Sequence, residues 1–414
     1  MRVATLFKRL LRLGGERVVG VKVEDGDGIE QVVVEVALRA RRALRCSGCG
    51  GRVRGAYDSR VMSWRHLDLG RVRCVIRCEV RRVECSGCGV RVEAVPWARA
   101  GSRFTKAFED TCVYLVKHAP KTTVAALMRV DWATVGRMVE RVVTEHAANQ
   151  PGDGLDGLRR IGIDEVAYRK GHRYLMCVTD HDSGRLVWAA PGRSQKTAEE
   201  FYRALGPERC AQLRAVSLDL HGGWIGATRI HAPGAAICAD PFHVLKLAGD
   251  ALDRVRRDAW QQLRKEDPER AAFIKGTRFA VRRRASNLRA GDRTVLDELA
   301  ADNHDIYRGW LLVEQLRAVY QAAAPEDAHA LLDEWILAAL TSEMDPFMRC
   351  ALTIDNYRDL VVNAITQRLS NARLEGMNST VRLLSHRARG YRRLPSLLAM
   401  ITLVCGRIPV ALPT

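Results

Sequence analysis

The sequence predicts a chain of several domains that mixes α-helices with β-strands, and three observations lead to that prediction. Residues 150–157 are rich in glycine, aspartate and proline, as is typical of a linker. The segment before this linker contains paired cysteines and an alternating strand pattern, followed by helical periodicity. The segment after the linker contains strand-like runs, followed by alternating strands and helices. At 414 residues and 47% hydrophobic composition, the chain can form a sizeable core, which excludes wholesale disorder.

The chain carries a large positive charge, with 66 Lys and Arg against 48 Asp and Glu and a net charge of +18. Residues 39–103 contain 16 arginines, no lysine and 5 acidic residues, so this segment carries a net charge of +11. Concentrated basic charge favours a polyanionic partner, and nucleic acid is the first expectation. No run approaches the roughly 18 to 20 apolar residues that cross a bilayer, so we expect a cytoplasmic protein without membrane contact.

The first predicted domain, residues 1–104, is β-rich and binds zinc. Two C-x-x-C knuckles, each followed by glycine, supply Cys46, Cys49, Cys85 and Cys88. Two such knuckles offer the tetrahedral sulfur set of one structural Zn²⁺, with no position left for water. The alternative is that these thiols are unmetallated or redox-active. Between the knuckles, a period-two pattern predicts that Cys74 and Cys78 lie on the core face of a strand.

Residues 105–150 are predicted to form a helix-turn-helix DNA-binding domain. Two helical segments, 121–130 and 133–142, are separated by a short break at Asp131 and Trp132. Asp131 is a suitable N-cap for the second helix. That helix would present three residues to DNA, namely Thr134, Arg137 and Arg141. An ordinary helical hairpin with a charged outer face is the alternative.

Residues 151–243 are predicted to form an α/β core with the element order βββαβαβ. The first three strands, at 158–168, 174–179 and 186–190, are separated by turn-forming sequences and form an antiparallel meander. A helix, a strand, a helix and a strand follow, at 196–205, 214–220, 223–229 and 235–240. Residues 244–360 are helix-rich without a clear strand signal, and residues 361–414 are helical with an arginine-rich middle.

Three acids are candidates for metal-dependent chemistry. Asp164 lies within the first strand of this core, Asp219 at the end of the fourth, and Glu375 in the C-terminal helical segment. Acids in strand interiors are costly unless they are paired or bind a metal. Carboxylates converging from two strands and a helix would hold two Mg²⁺ or Mn²⁺ ions, which suits phosphoryl transfer.

Four polar residues are possible auxiliaries of this site. Asn371 and Asn378 share a helix face with Glu375 at spacings of four and three residues. Asp240 and His243 stand where the fifth strand passes into the helical region. The alternative for this pair is a purely structural role, in which Asp240 caps the following helix and His243 is half-buried.

Each catalytic candidate also has a purely structural interpretation. Asp164 is followed by Glu165, and strand alternation turns one of the two away from any site. Asp219 could cap the following helix, and Glu375 could form a surface ion pair with a neighbouring arginine: Arg368, Arg373 or Arg382.

These residues together resemble the ISL-three group of insertion-sequence transposases. The resemblance rests on the cysteine knuckles, the helix-turn-helix and a set of short motifs that span nearly the whole chain. The motifs are Gly162-Ile-Asp-Glu165, Lys170-Gly-His-Arg-Tyr174, Ser217-Leu-Asp219, Asp240-Pro-Phe-His-Val244, Asn371-Ala-Arg-Leu-Glu-Gly-Met-Asn378 and Arg389-Gly-Tyr391. The resemblance implies an RNase H-like catalytic core, interrupted by a long helical insertion at residues 244–360, with a DDE triad at Asp164, Asp219 and Glu375.

The same resemblance implies a transposase that binds the terminal inverted repeats of its element, cuts the DNA and joins the ends to target DNA. We expect a homodimer or a larger synaptic complex, associated with the nucleoid of a bacterial cell. A basic stretch after Glu375 is expected to hold DNA near the cut site, with Arg382, Arg387, Arg389, Arg392 and Arg393. The alternatives are a catalytically inactive DNA-binding regulator and a nuclease or resolvase that cuts without joining.

Overall fold

The structure is a computed structural model that describes residues 2–13, 16–26, 28–39, 42–169, 171–302, 304–322, 324–388 and 390–412. The chain forms two compact units. The N-terminal unit comprises Met1–Gln150 together with Arg387–Thr414, and the central unit comprises Pro151–His386. The division into five domains expected from the sequence remains a prediction.

The N-terminal unit begins with a helix and a five-stranded sheet. Its elements are α1 (Val3–Leu10), β1 (Arg17–Gly26), β2 (Ile29–Ala37), β3 (Asp58–Leu69), β4 (Val72–Cys85) and β5 (Gly89–Val92). The strand order is β1-β2-β4-β3, and β5 pairs with β4. Along β4, Cys74, Ile76, Cys78 and Val80 are buried, so the predicted alternation and the core position of both cysteines are confirmed.

Three helices follow the sheet: α2 (Lys106–His118), α3 (Lys121–Leu127) and α4 (Trp132–Asn149). They pack through apolar residues at helical spacing, among them Phe108 and Cys112 on α2 and Met138 on α4. The C-terminal helix, Leu394–Cys405, belongs to the same unit and packs against α4. There Ser396 Oγ donates a hydrogen bond of 2.6 Å to Glu140.

The central unit is built on a second five-stranded sheet. Its strands and intervening helices are β6 (Arg160–Arg169), β7 (Arg173–Asp180), β8 (Leu186–Pro191), α5 (Gln195–Leu205), α6 (Pro207–Cys210), β9 (Ala215–Leu218), α7 (Gly222–His231) and β10 (Ala236–Ala239). This is the predicted element order with one additional short helix, α6. The strand order is β10-β9-β6-β7-β8; β6, β7 and β8 are antiparallel neighbours, and β9 and β10 run parallel to β6.

The rest of the central unit is helical, and its described residues include no strand. The helices are α8 (Pro241–Glu266), α9 (Pro268–Gly276), α10 (Arg278–Val281), α11 (Ala290–Asp302), α12 (His304–Val319), α13 (Pro325–Leu340), α14 (Asp345–Asn356), α15 (Arg358–Thr366) and α16 (Ala372–Arg387), with a 3₁₀ turn at Ala285–Asn287. Their buried side chains continue the hydrophobic core of the sheet. Among the described residues, no helix is both long and apolar enough to cross a membrane.

Candidate active site and metal centres

Three aspartates lie side by side at the carboxyl edge of the central sheet. Gly162 of β6 pairs with Ser217 of β9, and Leu218 of β9 pairs with Ala239 of β10. Continuing this parallel register by one or two residues puts Asp164, Asp219 and Asp240 at one level of three adjacent strands. We call these three aspartates the acid row. β9 and β10 end just before Asp219 and Asp240, whereas β6 continues to Arg169, so the parallel register of the three strands brings the acids together.

Asp164 is buried, with 6% of its surface exposed. Asn378 Nδ2 donates a hydrogen bond of 2.7 Å to its Oδ2, and the backbone N–H of Glu165 donates one of 2.7 Å to its Oδ1. The pKa of Asp164 is raised to about 6, mainly by burial and in part by the negative charges of Asp219 and Asp240, against the lowering effects of the hydrogen bond from Glu165 and of His243. A cation bound beside this carboxylate would favour its charged form.

The neighbouring residue, Glu165, is turned away as strand alternation requires. Its carboxylate forms an ion pair of 3.1 Å with Arg193, whose guanidinium stacks over the ring of Tyr174. Glu165 is therefore held in a separate contact.

His243 lies between two carboxylates of the row. Its Nδ1 is 2.9 Å from Asp240 Oδ2 and forms an ion pair with Asp219. Burial opposes the charged imidazole, but the hydrogen bonds and charges of the two aspartates outweigh it and raise the pKa of His243 to about 10. Possible ligand atoms of Asp219, Asp240 and His243 all lie within 4.8 Å of one another, a set that suits a cation. Helix α7 has His221 at its N-cap position, so the alternative that Asp219 caps it is wrong.

Asn371, predicted as a possible auxiliary of the site, contacts two of the strand ends. It is fully buried, its Oδ1 accepts a hydrogen bond from Ser217, and its backbone N–H donates one of 3.1 Å to Asp240 Oδ1. Ser217 Oγ also lies 2.6 Å from Nε2 of the buried His181. This network ties the start of α16 to the strand ends; sequence reasoning assigned no role to Ser217 or His181, although Ser217 shares a strand face with Asp219.

Helix α16 is also held by a close approach to β6. An added Cβ at Gly162 would lie 2.7 Å from Cδ1 of Leu374 and 2.9 Å from Nε2 of His181, so only glycine fits without displacement. Arg373 Nη1 donates a hydrogen bond of 2.6 Å to the carbonyl of His181.

Glu375 lies on α16 between Asn371 and Asn378, which both contact the acid row, but its own side chain is exposed. Within the described residues it forms no ion pair, so the expected surface pairing with an arginine is not seen. It also belongs to neither of the two described groups of residues whose ligand atoms lie within 4.8 Å of one another.

The second of these groups is the cysteine cluster of the N-terminal unit, formed by Cys46, Cys49, Cys85 and Cys88. The backbone N–H of Gly48 donates a hydrogen bond of 3.3 Å to Cys46 Sγ, and Cys49 Sγ lies 3.6 Å from Cys85 Sγ. Gly50 and Gly89, which follow the two knuckles, have φ of +70° and +68°. Four convergent sulfurs on two glycine-bounded turns fit a tetrahedral Zn²⁺.

Helix α4 exposes only part of the predicted DNA-contacting set. Arg137 is exposed and its Nη2 donates a hydrogen bond of 2.7 Å to Thr134. Arg141 instead forms an ion pair with the buried Glu109 inside the unit. Asp131 occupies the N-cap position of α4, but its side chain makes no capping hydrogen bond, contrary to the expectation.

The predicted basic stretch is partly exposed. Arg382, Arg392 and Arg393 are exposed, whereas Arg387 donates a hydrogen bond of 3.4 Å to the carbonyl of Lys117. Arg389, and Lys170 of the earlier motif, lie outside the described residues.

Known families match three consecutive parts of the chain. Residues 42–88 match the "zinc-finger of transposase IS204/IS1001/IS1096/IS1165", and residues 93–143 match the "Helix-turn-helix domain of transposase family ISL3". Residues 161–401 match the ISL3 family described as "Transposase".

Individual relatives match over most of the chain. A protein of Mycobacterium tuberculosis named "Transposase for insertion sequence element IS1557" is 38% identical over 435 residues, covering 98% of this chain and 97% of that protein. A protein of Bordetella parapertussis named "Transposase for insertion sequence element IS1001" is 28% identical over 353 residues, covering 85% of this chain and 86% of its own length. The similarity thus includes the cysteine cluster, the helix-turn-helix and the acid row.

Proposed function

The chain belongs to the ISL3 family of insertion-sequence transposases, and from this membership we propose how it recognises, cuts and joins DNA. The central unit is an RNase H-like catalytic core, which cleaves DNA at the ends of the element and joins those ends to a target. The observation that carries this proposal is the row of Asp164, Asp219 and Asp240 at the edge of three parallel strands.

We propose Asp164, Asp219 and Glu375 as the catalytic triad. Asp164 and Asp219 come from adjacent strands, and Glu375 lies on α16 between two asparagines that contact the row. Asp240 and His243 complete the polar wall of the site, Asn378 orients Asp164, and Asn371 anchors the helix that carries Glu375.

The residues fit a pair of Mg²⁺ or Mn²⁺ ions. The donor set consists of hard carboxylate oxygens, and the buried Asp164 has a raised pKa that a bound cation would lower. Asp164, Asp219 and Glu375 would hold the ions, which would activate a water or a 3′-hydroxyl and stabilise the leaving oxygen. The chain's own part is to fix the two strand acids by register and to carry Glu375 on α16, between the two asparagines that contact the row.

The N-terminal unit is proposed to bind the terminal inverted repeats. The zinc cluster holds the turns of an arginine-rich surface, whose guanidinium groups suit contacts with phosphates. Thr134 and Arg137 on α4 remain candidates for base contacts, and Arg382, Arg392 and Arg393 for contacts near the cut site. Two ends must be cut in one complex, so we propose a dimer or a larger assembly.

The test is a cleavage and strand-transfer assay with Mg²⁺ or Mn²⁺ on the element's own end DNA. Asp164→Ala, Asp219→Ala and Glu375→Ala should each abolish both reactions while keeping DNA binding. Glu199→Ala is the control and should leave both reactions unchanged, because the described contacts of this acid are with Arg203 and Gln195 on its own helix, α5.

Each alternative function gives its own outcome in this assay. Cleavage without joining would identify a nuclease or resolvase, and specific binding with neither reaction would identify a regulator. Cleavage that survives one substitution would remove that acid from the triad and leave Asp240 as the next candidate, because Glu165 is turned away and paired with Arg193.

A further inference from the structure

An exposed aromatic side chain lies next to the acid row. Phe242 is in the first turn of α8, between Asp240 at the N-cap position and His243. It is 54% exposed, whereas Phe201, Trp224 and Phe347 of the same unit are almost fully buried. The core of the central unit therefore does not use this ring.

The ring of Phe242 is packed against the group that joins two of the acids. Its centroid lies 5.3 Å from that of His243, with the ring planes at 87°. His243 in turn contacts Asp219 and Asp240. The exposed ring thus packs against a residue that contacts two aspartates of the acid row. This distinguishes it from an isolated apolar residue on a protein surface.

We propose that Phe242 is a stacking platform for one unpaired base, that of the nucleotide flanking the phosphodiester to be cut. The inference rests on the proposed function, because the acid row must be where DNA is cut. Aromatic rings bind bases of any sequence through their faces, and the first turn of a 26-residue helix favours the nucleotide's phosphate. By holding the base outside the duplex, Phe242 gives the carboxylates access to the backbone.

Cleavage rates on two substrates test this role. One is a duplex of the element end, and the other is the same duplex with a mismatch at the flanking base pair, which is already partly unpaired. Phe242→Ala should cut the paired duplex about 5- to 100-fold more slowly than wild type and recover most of the rate on the mismatched duplex. Phe242→Trp should retain the wild-type rate on both.

The matched control is Phe279→Ala, because Phe279 lies on α10 and is 73% exposed. It should leave both rates unchanged. If Phe242→Ala is slowed equally on both duplexes, the ring only positions His243 and the proposal is wrong. Wild-type rates for Phe242→Ala on both duplexes would also overturn it.

A binding measurement separates this inference from the proposed function. With Ca²⁺ in place of Mg²⁺, fluorescence anisotropy of the two labelled duplexes should show that wild type prefers the mismatched one and that Phe242→Ala loses this preference. If wild type fails to cut DNA but shows the Phe242-dependent preference, the catalytic proposal fails, and only the binding of an unpaired base by Phe242 stands. If wild type cuts DNA while Phe242→Ala keeps the preference, only the inference fails.

Discussion

At the scale of single residues, Asp164 carries an energetic cost that the proposed metal binding would explain. A folded-state pKa of about 6, against an ordinary value of 3.8, means that ionising this buried carboxylate costs about 3 kcal/mol. Between these two values the folded state binds more protons than the unfolded state. The contribution of Asp164 to stability therefore falls as the pH rises from about 4 to 6, and the whole cost is present at neutral pH.

Asp164→Asn should remove this cost together with activity. In chelator at pH 8, we expect the variant to be more stable than wild type by about 1 to 3 kcal/mol, and this difference should shrink as the pH falls through 6 toward 4. Denaturant unfolding at several pH values measures it. Added Mn²⁺ should stabilise wild type more than the variant. A variant less stable than wild type at pH 8 without metal would contradict the assigned cost.

A second prediction at this scale concerns the contact between β6 and α16. Gly162→Ala should destabilise the chain by about 1 to 3 kcal/mol and reduce cleavage, because the new methyl group overlaps the buried Leu374 and His181. Gly249→Ala on α8 is the control: a Cβ there meets no atom within 4 Å, so alanine should stabilise the helix by about 0.5 to 1 kcal/mol. Thermal unfolding compares the stability of the two variants. Equal changes in stability would show that the close approach of α16 to Gly162 does not require glycine.

At the scale of elements, the cysteine turns are expected to depend on zinc. Cys49→Ser should lower the zinc content from one ion per chain toward none and destabilise the region around β4 and β5, as metal analysis and hydrogen exchange would report. Cys78→Ala is the matched control, because Cys78 is buried on β4 outside the cluster. It should keep its zinc and lose only about 1 kcal/mol of stability. Full zinc retention by Cys49→Ser would exclude the four-cysteine site.

The elements of the central sheet could be predicted because their signals are local. Alternation and turn residues fixed β6, β7 and β8 to within about two residues of their observed ends. The role of Asn371 could not be predicted in this way. Its spacing from Glu375 indicates a shared helix face, but its burial depends on Ser217, which is 154 residues away in the chain. Asp240 was similarly only an auxiliary candidate until the strand register aligned it with the other two aspartates.

At the scale of the whole molecule, the two ends of the chain combine in one unit. The strongly apolar sequence of the C-terminal helix predicts burial but not its partner, since packing against α4 joins segments more than 200 residues apart. The described contacts include Ser396 with Glu140, and the carbonyl of Ile408, which accepts a hydrogen bond of 3.1 Å from Lys117 Nζ. Helix α4, which we propose to contact DNA, is therefore stabilised by residues that follow the proposed catalytic helix in the chain.

This arrangement predicts that a fragment of residues 1–150 is not an autonomous DNA-binding domain. Without the C-terminal helix, α4 loses an apolar partner and the hydrogen bond to Glu140, and we expect a loss of about 2 to 5 kcal/mol in the stability of the helical part. Appending residues 387–414 through a flexible linker should restore both a cooperative unfolding transition and binding to end DNA. The comparison requires circular dichroism melting and anisotropy of labelled end DNA for both proteins. If the shorter fragment melts and binds like the longer one, the C-terminal helix contributes nothing to the DNA-binding unit, and its packing against α4 is incidental.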